Sequence, residues 1–182
     1  MQLLSDIRNY RSLSAEKKAY LIAFLTALSG VLSVLDTMIP KPMPLAKLGI
    51  ANMVSLALVM EGQPGLAFIT AVLRTLVSSM MVGTFLSYTF LLSLSGAIGA
   101  VAVMALCSPL LSNWLSETGL SVIGAVFNTF FQCCVVALFF GLDRGTVFLI
   151  SILLLFSVAN GIITGLLIRY FYKGMKKGEN LK

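Results

Sequence analysis

Residues 75–116 contain no charged side chain. A transmembrane helix needs about 20 apolar residues, so this run is too long for one span and too apolar for a soluble surface. It must hold two buried helices with a turn between them, and Gly83-Thr84-Phe85-Leu86-Ser87 is where the chain can turn. The rest of the 182 residues follows suit: 58% are hydrophobic, 11% are charged, and mean hydropathy is +0.98. A soluble domain is roughly a quarter charged. An all-α integral membrane protein with little mass outside the bilayer is predicted.

Charge-poor runs then give six predicted spans: Ala19 to Leu35, Leu48 to Met60, Gly62 to Gly83, 88–107 closed by Ser108-Pro109, Gly119 to Phe140, and Thr146 to Tyr172. The second is short for a core of about 30 Å. It must be buried by its neighbours or borrow length beyond Lys47 and Glu61. Residues 1–18 read as a polar cytoplasmic segment, 19–172 as one six-helix domain and 173–182 as a basic tail. No cleaved signal peptide is expected, because the polar lead is long and no small-residue cleavage site follows a short apolar core.

Lys and Arg set the orientation. Four lie in the N-terminal segment (Arg8, Arg11, Lys17, Lys18) and five at the C-terminal end (Arg169, Lys173, Lys176, Lys177, Lys182). Only Lys41, Lys47 and Arg144 fall on the opposite side. Both termini are therefore expected in the cytoplasm. The same clustering explains the net charge of +6 without nucleic acid as a partner. Neither half of the chain resembles the other, which argues against an inverted-repeat carrier.

Composition removes several chemistries. There is no His, hence no His-based triad or dyad and no His-ligated metal. No two of the seven acids lie within four residues of each other, so no local two-carboxylate metal motif exists. Cys107, Cys133 and Cys134 sit in apolar runs and read as packed thiols. No catalytic residue, metal or cofactor is expected, and no Walker A motif occurs.

Polar groups inside a membrane are costly, so they carry the functional reading. Arg74 falls near the middle of the third span with Ser78 one turn on. Asn128 and Gln132 are an i, i+4 pair on the fifth span, and Ser157, Asn160 and Thr164 share a face of the sixth. Lys47 opens the second span, Asn52 and Ser55 follow, and Asp36 ends the first. Lys47, Asn52, Arg74, Asn128, Gln132 and Asn160 are the candidate substrate-binding residues, converging in the outer half of the bundle. Met53, Met81 and Phe85 are expected as apolar walls. The competing reading makes Arg74 a structural residue paired with a backbone carbonyl and the amides interhelical glue. Pro40, Pro42 and Pro44 stiffen the outer loop between the first two spans, as a lid or a plain connector. Small residues give three close-packing faces: Ala23, Ala27 and Gly30; Gly96 and Ala100; Gly161 and Gly165.

Lys47-Leu48-Gly49-Ile50-Ala51-Asn52 after a proline-rich loop resembles the family labelled "Gx transporter" or "heptaprenyl diphosphate synthase component I". Leu73-Arg74 with Gly83-Thr84-Phe85, Ser93-Leu94-Ser95-Gly96, and Gly124-Ala125-Val126 with Gln132 extend the likeness over roughly residues 25–140. That family usually shows His-Asn before the Gln; here Asn128-Thr129 stands instead. The family in turn looks like the substrate-binding S components of energy-coupling factor transporters. That resemblance implies a six-helix bundle with cytoplasmic termini, a pocket on the outer side, and a small face at Ala23 and Ala27 docked on a transmembrane coupling protein driven by two ATPases. The solute implied is small, amphipathic and anionic: a vitamin, a cofactor precursor or a prenyl phosphate. An assembly subunit, or an accessory subunit of a polyprenyl diphosphate synthase, is the alternative. Isoprenyl synthases, as the resemblance implies, use clustered Asp residues to hold diphosphate through Mg²⁺, and this chain has no Asp pair.

Overall fold

The computed structural model describes residues 2–38, 49–111, 116–141 and 143–179. All regular structure among them is helical: α1 (Gln2–Arg8), a 3₁₀ turn (Tyr10–Ser12), α2 (Ala15–Met38), α3 (Asn52–Met60), α4 (Pro64–Val82), α5 (Tyr88–Leu111), α6 (Glu117–Phe140) and α7 (Arg144–Glu179). Five of them, α2, α4, α5, α6 and α7, are long and apolar enough to cross a membrane.

The second predicted span is the exception. α3 has nine residues, about 14 Å of helix, and cannot cross alone. Its position accounts for this. α3 packs against all five long helices, and Ser55, Leu56, Leu58 and Val59 are buried. It is enclosed by protein and does not have to reach both surfaces. The residues before it, including Lys47 and the three prolines, lie outside the described residues.

Around α3 the long helices neighbour one another in chain order: α2 on α4, α4 on α5, α5 on α6, α6 on α7. The break at residues 83–87 is as expected. Gly83 adopts a left-handed φ of 74°, which glycine tolerates without strain, and α5 starts at Tyr88. Pro109 was expected to close the fourth span, yet α5 runs on to Leu111. Pro109 has no N–H for the carbonyl of Ala105; the Ser108 hydroxyl donates to that carbonyl instead, at 3.4 Å. α6 is capped by Ser116, whose Oγ accepts from the Gly119 N–H at 3.2 Å. Asp143 does the same for α7: its Oδ1 accepts the Thr146 N–H at 2.9 Å and the Thr146 hydroxyl. These bonds hold the Asp143 carboxyl below its usual pKa.

The polar segment before α2 is tied to the bundle. Ile7 is buried in the core cluster, Arg8 pairs with Glu61 at 3.3 Å, and the Gln63 amide donates to the Arg8 carbonyl at 3.3 Å. This marks one end of the bundle; the Met38 end of α2 is the other.

The small faces differ in use. An ideal Cβ at Gly161 would lie 2.7 Å from the Val122 Cα, and one at Gly165 2.6 Å from the Thr118 Cα. Thus α7 meets the α6 backbone directly. Gly96 and Gly99 seat α5 on α6 mainly against side chains, Gly96 against Asn128 and Gln132 and Gly99 against the Phe131 ring. On α2, Ala23 and Ala27 are exposed, whereas Gly30 is buried, its Cβ position 3.6 Å from Val77. Gly30 therefore does not share a free face with the two alanines. It sits at the edge of the α2 surface that α4 covers.

Candidate functional site

Two adjoining cavities lie at mid-length of the bundle, beside the N-terminal end of α3. Gly49, Asn52 and Asn128 line both. Gly49 has φ +73° and turns the chain into α3; its Cβ position is 3.5 Å from the Thr164 hydroxyl.

The first cavity is charged. Arg74 of α4 and Asp36 of α2 line it, with Ser33, Thr75, Ser78 and Ser93. Arg74 is only 7% exposed, and its Nη1 donates to the carbonyl of Ala51, the residue that caps α3. The guanidinium fork has further N–H groups beyond that bond. Asp36 is buried within electrostatic reach of Arg74. Arg74 thus has the backbone partner of the structural reading and also faces a cavity.

Among the described residues, those lining the second cavity are uncharged. This cavity runs between α3, α6 and α7, lined by Ser121, Ala125, Asn128 and Gln132 on α6 and by Ser157, Asn160 and Thr164 on α7. Residues 121, 125, 128 and 132 recur at helical spacing, so one face of α6 carries them all. Gln132 is 4% exposed. Among the described residues its carboxamide bonds no protein group, and neither does that of Asn128.

Hydroxyls and amides behave differently here. Thr75 donates to the Ala71 carbonyl at 2.9 Å, Ser78 to Thr75 at 3.3 Å, and Ser157 to Leu154 at 2.7 Å. A helix interior satisfies its own serines and threonines in this way. The Asn128 and Gln132 carboxamides are not satisfied so; they lie against Gly96 of α5 where they line the second cavity. Both cavities are small, and the uncharged one is the smaller. Each holds a few waters or fewer, and a larger guest needs side chains to move.

Five of the six predicted site residues, Asn52, Arg74, Asn128, Gln132 and Asn160, line these cavities; Lys47 lies outside the described residues. The apolar walls are a correction. Met81 and Phe85 are 62% and 42% exposed, past the end of the cavity-facing stretch of α4, and Met53 packs on the core cluster. Ser121 and Thr164 extend the lining toward the α1 end of the bundle. Sequence reasoning missed Ser33, Thr75, Ser93, Ser121, Thr129 and Gly49 as lining residues. Ser121 was within reach, since it stands on the same helical face as Asn128 and Gln132.

A bundle of long apolar helices around a polar, partly charged cavity defines a helical membrane protein with an internal polar site. The family described as heptaprenyl diphosphate synthase component I matches residues 25–171, and the chain belongs to that family. No curated protein and no solved structure matches it.

Proposed function

We propose that this chain is the solute-binding membrane subunit of an uptake transporter of the energy-coupling factor type, holding a small anionic solute in the two adjoining cavities. The observation that carries the reading is the convergence of Arg74, Asn52, Asn128, Gln132 and Asn160, drawn from four helices, on one polar space. Interhelical glue alone would pair these groups with one another; two of the carboxamides instead pair with nothing among the described residues. A carboxylate or phosphate satisfies the remaining N–H groups of Arg74 through a bidentate contact. Lys47, two residues before Gly49 in the chain but outside the described residues, is a second candidate basic group for the anion. The polar lining favours a small polar acid over a prenyl phosphate. In this reading both termini are cytoplasmic and the solute enters from the outer side. ATP hydrolysis is supplied by two partner ATPases, through a transmembrane coupling subunit that docks at Ala23 and Ala27.

The family description supports a second reading, an accessory membrane subunit of a polyprenyl diphosphate synthase. The chain is not proposed as an enzyme in either case, since its acids are scattered along the sequence. The partners separate the two readings. Purified from its native membrane, the tagged chain is expected to carry a membrane coupling protein and Walker-type ATPases. Ala23→Leu with Ala27→Leu should abolish their recovery while leaving the folded chain intact, because both residues are exposed. Recovery of a prenyl diphosphate synthase subunit instead, unaffected by the double substitution, favours the second reading.

A further inference from the structure

The uncharged cavity has a chemistry of its own. It adjoins the Arg74 cavity through Gly49, Asn52 and Asn128, yet among the described residues no charged side chain lines it. Among the described residues that line it, only Gly49 and Ala125 carry no polar side-chain group. A hydrocarbon group placed there would leave buried amides unpaired, which is destabilising. A second anion would meet no cation.

Gln132 narrows the guest further. It is almost fully buried, and its carboxamide lines the cavity without a protein partner among the described residues. A carboxamide offers two N–H donors and one carbonyl acceptor, so its full complement is a group that both donates and accepts. Asn128 repeats the pattern one turn away, and the Ser157 hydroxyl, already donating to Leu154, presents its oxygen as an acceptor. Gly96 seats both carboxamides: a Cβ there would lie 2.6 Å from Asn128 Oδ1 and 2.7 Å from Gln132 Nε2. α5 thus leaves room for these two amides and for nothing larger than a hydrogen beside them.

We infer that this cavity is a separate subsite for a small, planar, uncharged group that donates and accepts hydrogen bonds, such as a carboxamide, urea or lactam edge, read chiefly by Gln132 and Asn128. The inference rests on the proposed solute-binding role and specifies the solute's second end. The solute is then an acid at the Arg74 end and an amide-like group at the Gln132 end.

A matched pair of small acids tests this on the purified full-length protein. N-carbamoylglycine and 4-methylpentanoate are similar in size, and each ends in a carboxylate; only the first has a urea group. Calorimetric titration should show N-carbamoylglycine binding at least about tenfold more tightly. Gln132→Met keeps length and removes the polarity, and Gly96→Ala displaces both amides by a methyl group; either should erase the preference. The wild-type comparison stands even where a variant fails to fold. Equal affinities, or tighter binding of 4-methylpentanoate, overturn the subsite while leaving anion capture at Arg74 intact. Binding of neither acid overturns the anionic solute reading and this inference with it.

Discussion

Replacing Arg74 with alanine is expected to lower the unfolding free energy by about 2–3 kcal/mol and to abolish solute binding. Two consequences combine. The Ala51 carbonyl loses a charged donor at the point where α3 begins, which loosens α3 from α4. Asp36, buried in the same cavity, loses the electrostatic contribution of Arg74. Arg74→Lys keeps the charge and loses the fork, so binding should fall even where stability largely recovers. Adding Asp36→Asn to Arg74→Ala should restore none of the binding. Thermal unfolding and ligand titration on the same samples check both halves. A purely structural Arg74 would lower stability and leave the affinity of the folded fraction unchanged.

Gly165→Leu should be the most damaging substitution outside the cavities. The added Cβ would lie 2.6 Å from the Thr118 Cα, and a neighbour that is backbone cannot rotate away. α6 and α7 must separate, at a cost of about 3 kcal/mol or more; Gly165→Ala alone should cost about 1–3 kcal/mol. Gly161, one turn away, faces the Val122 Cα in the same manner. Because Gln132 stands on α6 and Asn160 on α7, parting these helices also opens the uncharged cavity. Gly65 is the contrast. Nothing lies within 4 Å of its Cβ position in α4, so Gly65→Ala should be neutral or slightly stabilising. The fraction of folded protein recovered from membranes, with unfolding curves for each variant, decides between these outcomes. Equal stability of Gly165→Ala and Gly65→Ala would show that the helices give way more easily than the close approach implies.

Much of this arrangement was legible before any coordinates. The charge-free run 75–116 dictated two helices and a turn, and α4 and α5 part where Gly83 permits it. Polar residues at helical spacing identified the cavity faces of α6 and α7, since a shared face follows from the period alone. What could not be read was which way an apolar face points. In a bilayer, lipid and protein interior are equally apolar, so hydrophobicity does not separate them. Met81 and Phe85 were placed at the cavity for that reason and are exposed. Gly30 was grouped with Ala23 and Ala27 on spacing, although α4 covers it. The short charge-poor run points to burial of the second span by its neighbours, but its own sequence does not say that five helices supply that burial. Ser33 and Ser93 join the site only through packing between helices far apart in the chain.

The central claim is that the cavities at the heart of this bundle hold a small polar acid. Mass spectrometry of the molecules released on denaturing the protein, purified from its own membrane, tests it most directly. One water-soluble carboxylate or phosphate is expected, recovered in roughly stoichiometric amount from the wild-type protein and lost from folded Arg74→Lys. Release of lipid or prenyl diphosphate alone, or equal recovery of the acid from both proteins, would contradict it.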